Sequence, residues 1–158
     1  MERIILQAHK SLIKRNKTVA VAESCTGGLA STLLTRLSGS SKFFILGIVA
    51  YSNTAKINLL KIPAEIIKKN GSVSRDTTIQ MAQRVRKLAK ADFAVGITGI
   101  AGPAGGSLEK PVGTVFIAVA VKNKINVKKF CFRGSREKIR KNAALQALKL
   151  LTCALSSP

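Results

Sequence analysis

Acidic side chains are scarce in this sequence. Seven Asp and Glu stand against 27 Lys and Arg in 158 residues, with one His, one Tyr and no Trp. So few carboxylates, with no cluster of Asp, Glu, His and Cys at metal-ligand spacing, argue against a divalent-ion site, and neither a metal nor a cofactor is expected. The one histidine, His9, falls in an amphipathic segment away from the polar loops, so a Ser-His-Asp triad is not expected. Cys25, Cys131 and Cys153 cannot all pair with one another and show no CxxC spacing. They read as reduced thiols of a cytoplasmic protein, neither a disulfide framework nor a zinc site. No apolar run reaches the ~18 residues of a membrane span. The N-terminus turns polar at Gln7, without the long apolar stretch of a secretory signal. The lack of aromatics leaves little for stacking nucleic-acid bases.

What is present is a positive charge of +20 and a hydrophobic content of 46%. The hydrophobic share suits a packed core in one α/β domain spanning residues 1–158. The charge has two readings: a lysine-rich composition spread over solvated faces, or an anionic partner, for which nucleic acid bound non-specifically is the candidate. It is densest over 122–141, where nine Lys and Arg face Glu137 alone.

Periodicity predicts helices over 2–15, 29–37, 54–60 and 135–155, with a short one beginning at Pro63 and another running from Ser74, its N-cap, to about Lys90. Apolar, β-branched runs predict strands over 18–22, 43–51, 93–98, 114–121 and 126–132, the last two as an antiparallel hairpin turning near Asn123. A glycine-rich loop of about fifteen residues, Gly99–Gly113, is long enough to suggest a role of its own. This order fits a three-layer α/β/α sandwich on a mixed sheet.

Three polar loops each follow a strand, and the strand ends of an open α/β sheet face a common crevice. The first loop carries Ser24, between a strand end and a helix start whose N–H groups suit a phosphate or oxyanion. An ordinary helix cap explains Ser24 or Thr26 equally well. The second carries Tyr51 and Lys56. Lys56 is either an exposed charge at a helix start or, if buried, a lysine whose lowered pKa permits base chemistry. The third carries Thr98 and the glycines. It is neither a Walker A loop nor a G-x-G-x-x-G turn.

Several motifs, taken in order, resemble one family. They are Ala22-Glu23-Ser24-Cys25-Thr26-Gly27-Gly28, Ser38-Gly39-Ser40-Ser41, Tyr51-Ser52-Asn53-Thr54-Ala55-Lys56, Gly71-Ser72-Val73-Ser74, Thr98-Gly99-Ile100-Ala101-Gly102-Pro103, Lys110-Pro111-Val112-Gly113-Thr114 and Gly134-Ser135-Arg136. Over about residues 2–155 the chain resembles the CinA C-terminal domain family, which includes bacterial nicotinamide-nucleotide amidases. The resemblance implies hydrolysis of the carboxamide of nicotinamide mononucleotide to nicotinate mononucleotide and ammonia, in a homo-oligomer. It implies Ser24 as nucleophile, Lys56 as base, and Tyr51 as a group that orients them or shares the proton shuttle. Amides near Thr26 and Gly27 would hold the oxyanion. Thr98 and Gly99 would line the nucleotide pocket, and Arg136, with Arg140 near it, would meet the phosphate. Glu23 would be a partner of Lys56 or a ribose ligand. The alternative is a non-catalytic CinA-like regulatory or nucleic-acid-binding module linked to competence or DNA damage. Full-length members carry a further N-terminal domain, so this chain reads as the stand-alone form. It departs from the family pattern at Ser135 and Arg75, where an acid is common, which bears on phosphate binding more than on the catalytic pair.

Overall fold

The computed structural model describes residues 2–156. The helices are α1 (Glu2–Lys14), α2 (Leu29–Thr35), α3 (Asn53–Asn58), α4 (Ala64–Asn70), α5 (Arg75–Ala89) and α6 (Arg136–Ser156). The strands are β1 (Val19–Glu23), β2 (Phe44–Val49), β3 (Phe93–Gly99), β4 (Thr114–Val121) and β5 (Lys124–Cys131). They form one sheet in the order β2-β1-β3-β4-β5, parallel from β2 to β3 and antiparallel from β3 to β5. The expected mixed sheet and hairpin are therefore present. Among the described residues no helix is long and apolar enough to cross a membrane.

The sheet is covered on both faces, which makes three layers. β1 is buried at every position, as a central strand between two helical layers must be. Val19 and Val21 join Leu12 of α1 and Leu148 and Leu151 of α6 on one face. Ala20 and Ala22 join Met81 and Val85 of α5 on the other. The alternation of large and small residues lets α5 lie close to the sheet. At Gly96 of β3 the approach is closest: a Cβ there would stand 2.6 Å from the Thr78 carbonyl oxygen and 2.8 Å from the Ala82 nitrogen. Only glycine fits so close to a helix backbone.

Boundaries differ from expectation where tertiary pairing overrides local pattern. Phe43 is buried and closes a single 3-10 turn at Ser40–Lys42, so β2 begins one residue later. β5 begins at Lys124, not 126, because the hairpin turns within Lys122-Asn123 and Val121 pairs directly with Lys124. Pro63 caps α4 from just outside it. Ser74 is the expected cap of α5, its Oγ accepting from the Thr77 N–H at 3.2 Å.

The connectivity fixes where a site can form. The chain leaves β1 through α2 to β2 on one side, and returns through α3–α5 to β3 on the other. Neighbouring crossovers diverge at the carboxyl end of β1, and this switch point is where open α/β sheets form ligand crevices.

Candidate active site

Ser24 follows the last residue of β1 and lies at that switch point. Its N–H donates to the Ile97 carbonyl of β3 at 2.9 Å, so the strand pairing that builds the sheet also holds the serine backbone. Lys56, from α3, reaches across from the end of β2. Its Nζ donates to Ser24 Oγ at 3.2 Å and to the Tyr51 carbonyl at 3.1 Å. α3 is aimed by its own cap, Ser52 Oγ accepting from the Ala55 N–H at 3.0 Å. Lys56 is 1% exposed, and burial holds its ammonium below the ordinary lysine value. Of the two readings of Lys56, the structure gives the buried one.

The pair opens into a cavity of about 250 Å³ lined also by Cys25, Tyr51, Ser72, Thr98, Gly99 and the Ile100–Gly102 backbone, with Arg136 at its edge. All three polar loops thus converge. Larger concavities, of about 450, 610 and 530 Å³, lie elsewhere: against Arg3, Gln7 and Gln146, beside the β4–β5 turn, and along the Pro103–Val112 loop. None of them holds a serine–lysine pair. The cavity is slightly smaller than the ~300 Å³ at which small-molecule sites usually begin. It is partly open to solvent at its mouth.

Arg136 begins α6 at that mouth. Its guanidinium donates to the Gly102 carbonyl at 2.7 Å and to the Tyr51 hydroxyl at 2.8 Å. Both partners are neutral, so its charge is not cancelled, and a guanidinium has five N–H donors. Of the basic stretch 122–141, Arg136 alone lines the cavity. Thr98 donates its hydroxyl to the Ser72 carbonyl at 2.9 Å. That bond ties the third loop to the loop before α5 and places both in the wall.

Five expectations need correction. Glu23 is neither a ligand nor a partner of Lys56. Its fully buried carboxylate accepts from the N–H groups of Gly28, Ala30 and Ser31 at 3.0, 3.1 and 2.8 Å and from Ser31 Oγ at 2.7 Å. It caps α2 from within, where the helix dipole favours an anion. The first amides of α2 are thereby committed, and the Gly27 N–H goes to the Ser24 carbonyl at 3.0 Å. No turn hydrogen bond joins the Cys25 N–H to a backbone carbonyl; that N–H follows Ser24 directly in the chain.

Arg140 does not reach the cavity. It donates to the Thr26 carbonyl at 2.9 Å and lies against Gly27, where a Cβ would be 3.0 Å from its Nη2. Thr26 is buried beneath the turn. These residues shape the turn that presents Ser24. The Tyr51 phenol meets Arg136 and not the Ser24–Lys56 pair; it is the Tyr51 carbonyl that holds Lys56. His9 does touch a polar loop, through Nε2 and the Ser38 carbonyl at 3.0 Å, with its ring edge-on to Phe43.

Cys25, the thiol beside Ser24, is buried and belongs to the core cluster. Burial pushes its thiol up to about 12, which leaves it protonated and unreactive. Ser72 and Val73 stand in the cavity wall although they are not among the expected site residues. Their signal was the Gly71-Ser72-Val73-Ser74 motif immediately before a capped helix. Among the described residues no group of three His, Cys, Asp or Glu is placed to hold a metal ion.

The protein is a three-layer α/β domain with a serine–lysine pair at the switch point of its parallel strands. The family model for the CinA C-terminal domain matches residues 1–155, and the chain belongs to that family. It is similar to the CinA-like protein of Geotalea daltonii, 48% identical over 138 residues, which are 87% of this chain and 33% of the relative. It spans about a third of the length of the curated relatives it matches. Among solved structures it is similar to the competence/damage inducible protein CihA of Agrobacterium tumefaciens, with a TM-score of 0.94, 38% identity, and coverage of 99% of this chain and 95% of that one. The competence damage-inducible protein A of Klebsiella pneumoniae gives a TM-score of 0.94 at 32% identity, covering 98% and 96%.

Proposed function

We propose that the domain hydrolyses the carboxamide of nicotinamide mononucleotide, releasing ammonia and nicotinate mononucleotide. The observation that carries this reading is the contact of the buried Lys56 amine with Ser24 Oγ in the wall of a cavity of about 250 Å³. The names of the relatives speak of competence and damage and specify no reaction.

The chemistry follows from the geometry. A hydroxyl is a weak nucleophile unless a base takes its proton. Lys56, pushed toward its neutral form by burial, accepts the Ser24 proton as Oγ attacks the amide carbon. The Cys25 N–H stabilises the oxyanion of the tetrahedral intermediate. Lys56 returns the proton to the leaving nitrogen, ammonia departs, and an acyl-serine ester remains. Water, deprotonated by the same amine, cleaves that ester to the carboxylate and restores Ser24. The Tyr51 carbonyl fixes Lys56 throughout. Arg136, at the mouth, takes the phosphate with its remaining donors.

The test is ammonia release from nicotinamide mononucleotide, nicotinamide riboside and free nicotinamide, with the product identified by mass. The nucleotide should be preferred, and Ser24→Ala and Lys56→Ala should each lower turnover by orders of magnitude. Their double mutant should be little worse, because the two act as a unit. No ammonia from any of the three amides refutes the reading. Tight nucleic-acid binding with a steep salt dependence would then favour the non-catalytic alternative.

A further inference from the structure

The concavity beside the β4–β5 turn lies at the end of the sheet opposite Ser24. β3 begins there, its Phe93 paired with Val121, and β3 runs parallel to the strand that leads into Ser24. The concavity measures about 610 Å³, within the ~300–1,000 Å³ of small-molecule sites. The end of α5 and the residue after it supply Arg86, Lys87 and Lys90, and the hairpin supplies Lys122 and Lys124. Buried Ala91 and Ala120, with their short side chains, line the space between these two elements. Five cationic side chains thus line the concavity, and among the described residues no carboxylate or aromatic ring does.

That charge is not cancelled nearby. Asp92, next in the chain after Ala91, turns its carboxylate to Lys17 and Thr18. Among the described residues none of the five cations forms an ion pair. Arg86 donates to carbonyls only, from Nε to Asp92 at 2.9 Å and from Nη1 to Lys122 at 3.4 Å. These bonds tie the end of α5 to the hairpin and leave the remaining N–H donors of the guanidinium open. The carboxyl end of a helix attracts cations, but its dipole is equivalent to only about half a negative charge. The five positive charges exceed that about ten-fold.

Two of the lysines stand where the backbone favours another residue. Lys90 closes α5 at a φ of +51°, and Lys122 opens the hairpin turn at a φ of +41°. Glycine or asparagine suits the left-handed end of a helix, and glycine suits the first position of such a turn. Both positions carry lysine, and both lysines line the same concavity.

We infer that this concavity is a second ligand site, for a compact anion carrying two or more phosphate groups. Compactness follows from the arrangement, because cations from two separate elements converge on one space. A lone phosphate would leave most of them unpaired. A strand of nucleic acid would call for aromatic side chains to stack its bases. The site is distinct from the one at Ser24. Ser72 and Val73, in the wall of the Ser24 cavity, precede the start of α5, and this concavity lies at its other end. The fifteen residues of α5 span about 22 Å. The inference does not depend on the amidase reading, because it is measured by binding and not by turnover.

The test is titration of the full chain with inorganic tripolyphosphate, followed by amide NMR shifts, at about 0.1 M salt, where the Debye length is about 10 Å. Two double variants are compared with the wild type. Lys90→Asn with Lys122→Asn removes two charges from the site, and asparagine tolerates the left-handed backbone. Lys128→Asn with Lys129→Asn removes the same charge from β5 outside the site. Wild-type shifts should centre on residues 86–91 and 120–125. The first pair should weaken binding about ten-fold, through the loss of two ion pairs, with a urea midpoint unchanged or higher. The second pair should change binding by less than about two-fold. Orthophosphate should bind more weakly than tripolyphosphate. No binding, equal losses in both pairs, or shifts confined to the neighbourhood of Arg136 would overturn the inference. So would a single-stranded oligonucleotide that binds more tightly than tripolyphosphate and is weakened alike by both pairs, which would make the basic surface a nucleic-acid face. If the first pair fails to fold, Lys87→Gln with Lys124→Gln, both exposed, takes its place with the same expected loss.

Discussion

Replacing Lys56 with methionine should make the protein more stable and inert at the same time. The side chain is buried and makes two hydrogen bonds, to Ser24 Oγ and the Tyr51 carbonyl. Losing them costs about 1 kcal/mol each, or somewhat more for a charged donor. Keeping an ammonium out of water costs several kcal/mol, and methionine fills a similar volume without that penalty. The balance at neutral pH favours the variant by about 1–3 kcal/mol. The sign of the pH dependence is fixed. Burial lowers the native pKa below the ordinary lysine value of 10.5. Between the lowered value and 10.5 the unfolded chain therefore binds more protons than the native one, and wild-type stability rises with pH. The advantage of Lys56→Met is then largest below the lowered pKa and shrinks as pH approaches the unfolded value. Urea unfolding of both proteins from neutral to alkaline pH measures it. A variant less stable than wild type at neutral pH, or an advantage that does not change with pH, would refute the account of Lys56 as an amine held against its solvation preference. Turnover should fall by at least about 10²–10⁴, the worth of a general base.

Glu23→Ala strips the acceptor from three amides and a hydroxyl at the start of α2. It should cost about 3 kcal/mol in urea unfolding, and a wild-type midpoint would show that water replaces the carboxylate. Cys25→Ala should keep turnover within a few-fold, since a thiol with a pKa near 12 supplies no thiolate at neutral pH; an inactive variant would shift the nucleophile to sulfur. Arg136→Ala should raise KM for the phosphorylated substrate by about 10- to 100-fold, the worth of a hydrogen bond to a charged group. The unphosphorylated riboside should be much less affected, and equal losses on both would remove Arg136 from phosphate binding. Neutralising Lys122, Lys124, Lys128 and Lys129 together should leave turnover nearly unchanged, because none lines the cavity; a large fall at saturating substrate would tie the basic stretch to catalysis.

The layers and strands were legible because each is written in a local pattern. The Thr18–Ala22 run, the Ser74 cap and the long spacing of α5 and α6 carry their structures in a few neighbouring residues. The boundaries that moved depend on partners distant in sequence. Nothing local to Asn126 says that β5 has already begun at Lys124. That start is set by the pairing of Val121 with Lys124, which makes Lys122 adopt a φ of +41° in the two-residue turn. Ser24 and Lys56 are likewise ambiguous one at a time. They are 32 residues apart, and each alone fits a helix cap or a surface charge. Only the ordered set of motifs, and then the sheet that brings three strand ends together, turns two weak signals into a pair.

Side-chain direction was the part the motifs did not carry. Glu23 adjoins Ser24, and the family resemblance implies a role for it in the cavity. Strand geometry says otherwise: Val19, Val21 and Glu23 alternate onto one face of β1, and that face is the one α2 packs on. The carboxylate therefore meets the amides of α2, not the ligand. Arg136 and Arg140 stand four residues apart on α6 and so share a helix face, but one turn of helix separates their destinations. The first ends at the cavity mouth on Tyr51 and Gly102, the second on the Thr26 carbonyl behind the nucleophile turn. Glu23 and Arg140 thus grip the Ser24–Ser31 segment from its two ends, one through N–H groups and the other through a carbonyl. In the proposed reaction, with Lys56 as a buried base and the Ser24 hydroxyl attacking, the segment needs such a grip. A misplacement of about 1 Å at a reacting atom can cost about 10² in rate, and neither residue need touch the substrate to prevent it.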